Sequence, residues 1–367
     1  MTDHIKKNVQ YRRASLVMLG LITLILVFGA LKLTSSVVLP FVIAVLLTFV
    51  LEPLIILLGK LKIPRILAAI AVVLGIGFAV YMVGLLLFNS IKTIATLYPK
   101  YEVRFEEIYR MIAETFDLPY DEHLTLFDNL WNQLNIRSRV QIAAFQFSES
   151  FVVFLKDSMM VTLFIIFLLL EIGHFKHRAE VAFARTFPGG LTNIINSIVH
   201  QTTRYLSIKF FISLATGLLV GFGLHVIGLD FPVVWGVLSF ILNFIPTIGS
   251  IVAGLGVFIF SLVQFYPDPG PVIASGMVVL GANFIIGNII EPKVQGDNLG
   301  LSPFVILVSL VGWGWLWGFV GMILAVPMAV ITKIFCEQIP GLEAVSIMMG
   351  SYKAAMRKEE QLEQESE

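Results

Sequence analysis

PVVWGVLSFILNFIPTIGSIVAGLGVFIFSLVQF, running from Pro232 to Phe265, is the stretch whose reading decides the fold. It is oily from end to end and too long for one membrane crossing, yet its centre holds Asn243, Pro246 and Gly249. A second such stretch, PFVILVSLVGWGWLWGFVGMILAVPMAVI (Pro303 to Ile331), is broken by Gly312-Trp313-Gly314 and Trp317-Gly318. In hydrocarbon an unpaired backbone amide or carbonyl costs several kcal/mol. Broken backbone at that depth survives only where protein or a water-filled cavity covers it. A pair of interrupted apolar segments is the sequence pointer to the binding site of a secondary transporter.

The rest of the chain fits an all-α polytopic membrane protein. Of its residues 57% are hydrophobic and only 14% charged, where an ordinary soluble domain carries about 25% charged. Full spans are expected at Ala14–Leu33, Val37–Leu58, Ile66–Phe88, a helix ending at Leu170, Phe210–Gly228 and Val272–Ile290. That gives about six full spans plus two broken or re-entrant hairpins. The N-terminal run is long enough to span and opens into no soluble domain, so it reads as a span and not as a cleavable signal.

Lysine and arginine in the short flanks set the orientation. Lys6, Lys7, Arg12 and Arg13 hold the N-terminus in the cytoplasm, and Lys60, Lys62 and Arg65 mark the same side two crossings later. The acidic stretch from Asn89 to Gln146 then falls outside, and the basic stretch from Glu171 to Ser207 returns inside. Lys353, Arg357 and Lys358 keep the C-terminus inside too, in a cell (inner) membrane.

The chain divides into five segments: three spans over 1–94, an extracytoplasmic amphipathic region over 95–150, a fourth span with cytoplasmic connecting helices over 151–206, a transport core over 207–335, and a tail over 336–367. In the external region Tyr98, Tyr101, Phe105, Ile108, Tyr109, Ile112 and Phe116 recur at steps of three and four, one face of a helix. That face suits a hairpin lying on the membrane surface, a contact between subunits, or a lid. A second amphipathic run holds Leu126, Phe127, Leu130, Trp131 and Leu134. After Pro188-Gly189-Gly190, Thr192 opens a helix expected to run straight into the fifth span.

The core has internal likeness. A full span followed by a proline-led broken segment occurs twice, and the charge argument sends the first span outward and the second inward. That is the arrangement of an inverted repeat. Asn243, Pro246 and Gly249 could expose carbonyls and an amide to a polar solute or cation, or simply cap a tight turn. Asn283 and Asn288 lie at near-helical separation on the following span, which ends at Glu291-Pro292-Lys293. A carboxylate at that depth is costly unless paired or hydrated. Glu291 is therefore a candidate cation or proton carrier, or is neutralised by Lys293. Lys209 is expected to snorkel. Gly312 and Trp313 lie at the second break, where tryptophans form an interfacial belt or wall a cavity. Gly217-x-x-x-Gly221 favours close helix approach. No nucleophile–base pair, phosphate-cradling loop or metal motif is present, so an enzyme, an ATP-driven pump and a cofactor are not expected. His174, His177 and His200 read as surface residues.

At these motifs the chain resembles the autoinducer-2 exporter family of bacterial and archaeal membrane proteins, also called TqsA- or PerM-like. The matching pieces are Asn243-Phe-Ile-Pro-Thr-Ile-Gly249, Gly287-Asn-Ile-Ile-Glu-Pro292, Leu299-Gly-Leu-Ser-Pro303, Gly314-Trp-Leu-Trp-Gly318 and Gly321-Met-Ile-Leu-Ala-Val-Pro327. The resemblance implies export of a small polar signalling molecule or, for some members, Na+(Li+)/H+ antiport. It also implies homo-oligomers, with a pentamer favoured. Membrane lipid and a small polar solute or Na+/H+ are the expected partners, and nucleic acid is not. From the residues alone, Asn243, Pro246, Gly249, Asn283, Asn288, Glu291, Gly312 and Trp313 are the expected solute site, with a passive oligomeric pore as a further alternative.

Overall fold

The computed structural model describes, apart from scattered positions, residues 25–115, 156–169, 191–295, 300–338 and 341–351. The second external amphipathic run, Pro188-Gly189-Gly190, His174, His177, the loop at 296–299 and the basic tail after 352 lie outside the described residues. The described chain is all-α. Its elements are α1 (Met18–Leu33), α2 (Ser35–Lys60), α3 (Arg65–Thr115), α4 (Leu191–Ile227), α5 (Pro232–Leu242), α6 (Ile248–Phe265), α7 (Pro269–Asn283), α8 (Pro303–Gln338) and α9 (Glu343–Met349). A helical stretch at 156–169 lies between α3 and α4. Among the described residues five helices are long and apolar enough to cross a membrane, or six if the bent pair α1–α2 counts as one.

Two features differ from the sequence expectation, and one agrees with it. The first two spans are joined by a 91° bend and not by a reversing loop. The break is local: Thr34 leaves helical geometry, and its hydroxyl donates to the Ala30 carbonyl. Next, the external amphipathic stretch continues the third span as one helix of 51 residues, about 77 Å long. It passes Asn89 and Pro99 without interruption, because local polarity does not end a helix whose later face finds protein to pack on. Finally, Thr192 does open a helix that runs into the fifth span, so α4 has 37 residues. The segment boundaries expected after 94 and 206 therefore fall inside continuous helices.

Both broken segments fold back as hairpins. In the first, Trp235 lies against Gly256, while Phe231 stacks on Phe260 at 5.9 Å and Trp235 on Phe260 at 5.5 Å. These pairs close around a tip at 243–247. Thr247 takes the positive φ of 63° that the turn needs, and Gly249 rests against the Leu242 carbonyl, where a Cβ has no room. In the second, α8 is interrupted at Trp317 and Gly318, and Gly318 has φ 62°. Ser309 Oγ donates to the Ala325 carbonyl at 2.7 Å, and Gly321 lies against the Trp313 carbonyl. Those contacts centre the second tip on Trp317.

The hairpins open toward opposite ends of α4. At the mouth of the first, Gln264 at the end of α6 donates to the Gly228 carbonyl at 2.9 Å and accepts from Asp230 N at 2.7 Å. That mouth sits at the C-terminal end of α4. The following helix runs back along α4, since Gly223 meets Val278 and Lys209 meets Glu291. The mouth of the second hairpin lies beyond Glu291. There Lys333 Nζ donates to the Gly300 carbonyl, and Leu301 pairs with Gly350 after α9. The first part of the segment 336–367 is thus docked on the core.

Four apolar clusters hold this arrangement. One joins Ala44, Leu51 and Ile55 of α2 with Ala68 and Val72 of α3 and Ile165 and Leu169. Another packs Val220 and Leu224 of α4 with Val257 and Val279. Here Gly217 and Gly221 bring α4 against Gly236 of α5, and an added Cβ on Gly217 would come within 2.7 Å of the Gly236 carbonyl. The expected close approach of this glycine pair is made within the chain. The largest cluster seats the second hairpin on α2 and α4 through Leu46, Tyr205, Leu316, Trp317 and Val330. The smallest joins Ile245, at the tip of the first hairpin, to Leu310 and Ala325 of the second, with Trp313 packed against them. The first tip meets the second hairpin.

Candidate functional site

The site is built on one face of α4. Thr202, Tyr205, Lys209, Ser213 and Thr216 recur at steps of three and four and are all buried. Five polar side chains inside a helix this apolar need partners, because each uncompensated one costs free energy. Thr216 satisfies itself by donating to the Ile212 carbonyl at 3.0 Å. Ser213 Oγ accepts from Asn243 Nδ2 at 3.0 Å, which ties the first tip to α4. One turn along, Lys209 Nζ donates to Glu291 Oε1 at 2.6 Å. The Lys209 side chain is 5% exposed and that of Glu291 20%. Such a pair is weak evidence of stability, because desolvating both charges offsets much of their attraction.

Glu291 reaches Lys209 by a local irregularity. Residues Phe284–Ile290 form a π-helical segment, and the Glu291 amide donates to the Ile286 carbonyl five residues back. Each residue absorbed by a wider turn rotates the remainder of the helix by about 100° relative to a continuous α-helix. The segment thereby sets the direction in which Glu291 leaves the helix.

Several buried polar atoms lack partners. Among the described residues Thr202 Oγ1, Thr203 Oγ1, Ser239 Oγ and Trp317 Nε1 are buried and make no hydrogen bond. The indole N–H can only donate, so an acceptor is what it lacks. Trp313 stacks on Trp317 at 4.9 Å and on Phe28 at 5.9 Å, so both line the tip. Trp315 points elsewhere: it is largely exposed, with Lys32 Nζ 3.7 Å from its ring.

The expected site residues divide accordingly. Asn243, Pro246 and Gly249 form the first tip, and Trp313 joins it through Ile245. Gly312, half-buried, neighbours Trp313 on α8, and a Cβ added to it would meet open space. Glu291 connects to them along α4, through Lys209 and then Ser213 one turn away. Asn283 and Asn288 are not part of this group: Asn283 bonds back to the Val279 carbonyl of its own helix, and Asn288 is exposed. Lys293, a candidate neutraliser of Glu291, is exposed, and Lys209 takes that role in place of snorkelling. Sequence reading missed Ser213, Thr202 and the role of Lys209. The three-and-four spacing of polar residues in α4 was the signal that could have found them. Among the described residues no group of His, Cys, Asp or Glu could hold a metal ion.

A second polar cluster closes the mouth of the first hairpin. Asp230 Oδ2 accepts from Tyr101 Oη at 2.7 Å and from Lys100 Nζ at 3.1 Å, both on the extension of α3. Tyr101 also stacks on Phe260 at 5.5 Å. Burial, then the hydrogen bond to Asp230 and its charge, push the phenol above its ordinary value.

Comparison with known proteins places this architecture. The model of the AI-2E family transporter matches residues 21–341. A putative transport protein of Borreliella burgdorferi is 31% identical over 330 residues, covering 90% of this chain and 89% of the relative. A putative transport protein of Haemophilus influenzae is 29% identical, covering 91% and 95%. The AI-2 transport protein TqsA of Escherichia coli is 28% identical, covering 91% and 94%. With its several long apolar helices the chain is a multi-pass membrane protein, and it belongs to the AI-2E transporter family.

Proposed function

We propose that the protein is a secondary transporter that exports a small polar signalling molecule of the autoinducer-2 kind by alternating access at the meeting point of its two hairpins. The observation that carries the reading is the cluster of Ile245, Leu310 and Ala325 with Trp313, where the tip of one hairpin rests on the arms of the opposed one beside the polar face of α4. Broken backbone brought together from two sides is how a transporter builds a midplane site in hydrocarbon. The order of helix and hairpin, repeated in opposite orientation, supports reading 207–335 as an inverted repeat. The cargo rests on the name of one relative, the AI-2 transport protein TqsA.

In this reading the repeat core moves against α2, α3 and the stretch at 156–169, which have an apolar cluster of their own. The motion is of the elevator type. The protein sits in the cell membrane with both termini in the cytoplasm and assembles as a homo-oligomer, a pentamer by family resemblance. Asn243, Ser213, Lys209, Glu291, Trp313 and Trp317 surround the solute.

Proteoliposome flux tests the reading. Efflux of labelled autoinducer-2 should saturate and show counterflow, and Asn243→Ala should lower it about tenfold or more, the loss of roughly one positioned hydrogen bond to a buried solute. Linear, unsaturable flux of many solutes would mean a pore. Na+-driven proton movement without solute flux would mean an antiporter. Either outcome contradicts the proposal.

A further inference from the structure

Glu291 is the only carboxylate in the apolar segments 195–227, 232–265 and 269–294. A carboxylate held at such depth needs a compensating positive charge. Three sources are chemically available: a proton, a small cation from solution, or a side chain. The structure supplies the third. Lys209 Nζ lies 2.6 Å from Glu291 Oε1 and comes from α4, the other long helix of the core.

The exposures of the two partners are unequal. The ammonium is sealed at 5%, while the carboxylate keeps 20%. The carboxylate is therefore the more accessible partner, the one an arriving ion could contact. Hydroxyl-bearing Tyr205 and Ser213 lie one helical turn to either side of Lys209 on the same face. Removing the ammonium would leave a largely buried carboxylate flanked by oxygen atoms, a setting that suits a hard monovalent cation. Burying this ion pair is a poor way to gain stability, so a stabilising role alone does not account for it.

We infer that Lys209 is a tethered counter-cation, which holds on Glu291 the place that Na+ or Li+ would otherwise occupy and makes this protein's transport cycle independent of those ions. The inference rests on the reading that Glu291 belongs to the transport core, and it names how that site is kept neutral. The lysine moves with α4, so the charge is balanced in every conformation that preserves the α4–α7 packing.

Thermal unfolding of the purified full-length protein tests it, with NaCl or LiCl compared against choline chloride at equal ionic strength. The wild type should unfold at the same temperature in all three, within about 1 °C. Lys209→Ala should unfold earlier in choline and recover by about 2 °C or more in Na+ or Li+, saturably with concentration. That recovery should vanish in Lys209→Ala with Glu291→Gln, and Lys209→Arg should behave as the wild type does. Lys209→Gln, closer in volume, serves if the alanine variant does not fold. A saturable Na+ or Li+ response in the wild type that Glu291→Gln abolishes overturns the inference without any Lys209 variant. So does a Lys209 variant that folds and gains no saturable response. Unfolding needs no solute, so a failed flux assay and a failed cation assay are separate results.

Discussion

At the scale of the residue, two glycines decide whether the tips can form. Gly249 lies against the Leu242 carbonyl and Gly321 against the Trp313 carbonyl, each too close for a side chain. Gly249→Ala and Gly321→Ala should each destabilise the protein by about 1–3 kcal/mol or more, since backbone on both sides must shift. Gly276, in α7, has no such neighbour. Gly276→Ala should be neutral or stabilising by up to about 1 kcal/mol, from helix propensity alone. Thermal unfolding of the three variants checks this, and equal losses would refute the tip geometry. The glycines were visible in the sequence because they interrupt apolar runs beside proline and asparagine. The partner of Glu291 was not. Lys293 is two residues away and Lys209 is 82, and only the antiparallel pairing of α4 with the helix after it makes the distant lysine the neighbour. Asn283 and Asn288 stand apart from this pair. Asn283 bonds back to its own helix, and Asn288, within the π-helical segment, is exposed.

At the scale of the element, each hairpin is held at its mouth by a segment from elsewhere in the chain. The extension of α3 holds the first through Tyr101, Lys100 and Asp230. Residues around α9 hold the second through Leu301, Ser302 and Gly350. Tyr101→Phe removes a hydrogen bond to a carboxylate, for a loss of about 1.5–3 kcal/mol before any allowance for water reaching the partly exposed acid. The pH dependence has a definite sign. The folded phenol titrates above its ordinary value of 10.0, so its contribution is complete below pH 10.0 and fades as pH rises beyond it. Wild type should therefore lose its advantage over Tyr101→Phe in unfolding experiments carried above that pH, and a constant difference would contradict the bond. The helical periodicity of Tyr98 to Phe116 was legible in sequence, but what its face covers was not. A lipid surface, another subunit and a hairpin mouth all ask for the same apolar stripe, and the fold alone chooses among them.

At the scale of the whole molecule, the all-α membrane class and the two hairpins were legible, because hydrocarbon penalises free peptide groups and so writes its demands into long apolar runs. The right-angle bend between α1 and α2 and the 51-residue α3 were not, since the bend has no proline or glycine at Thr34 to mark it and α3 runs on through Pro99. What unites the molecule is the contact of the first tip with the opposed hairpin, and paired cysteines measure it most directly. With Cys336 replaced by serine, cysteines at Ile245 and Leu310 should join in a disulfide under mild oxidation. The cross-linked protein should lose solute flux and regain it on reduction. Failure of the pair to cross-link in folded protein, or full flux in the cross-linked state, would contradict the account.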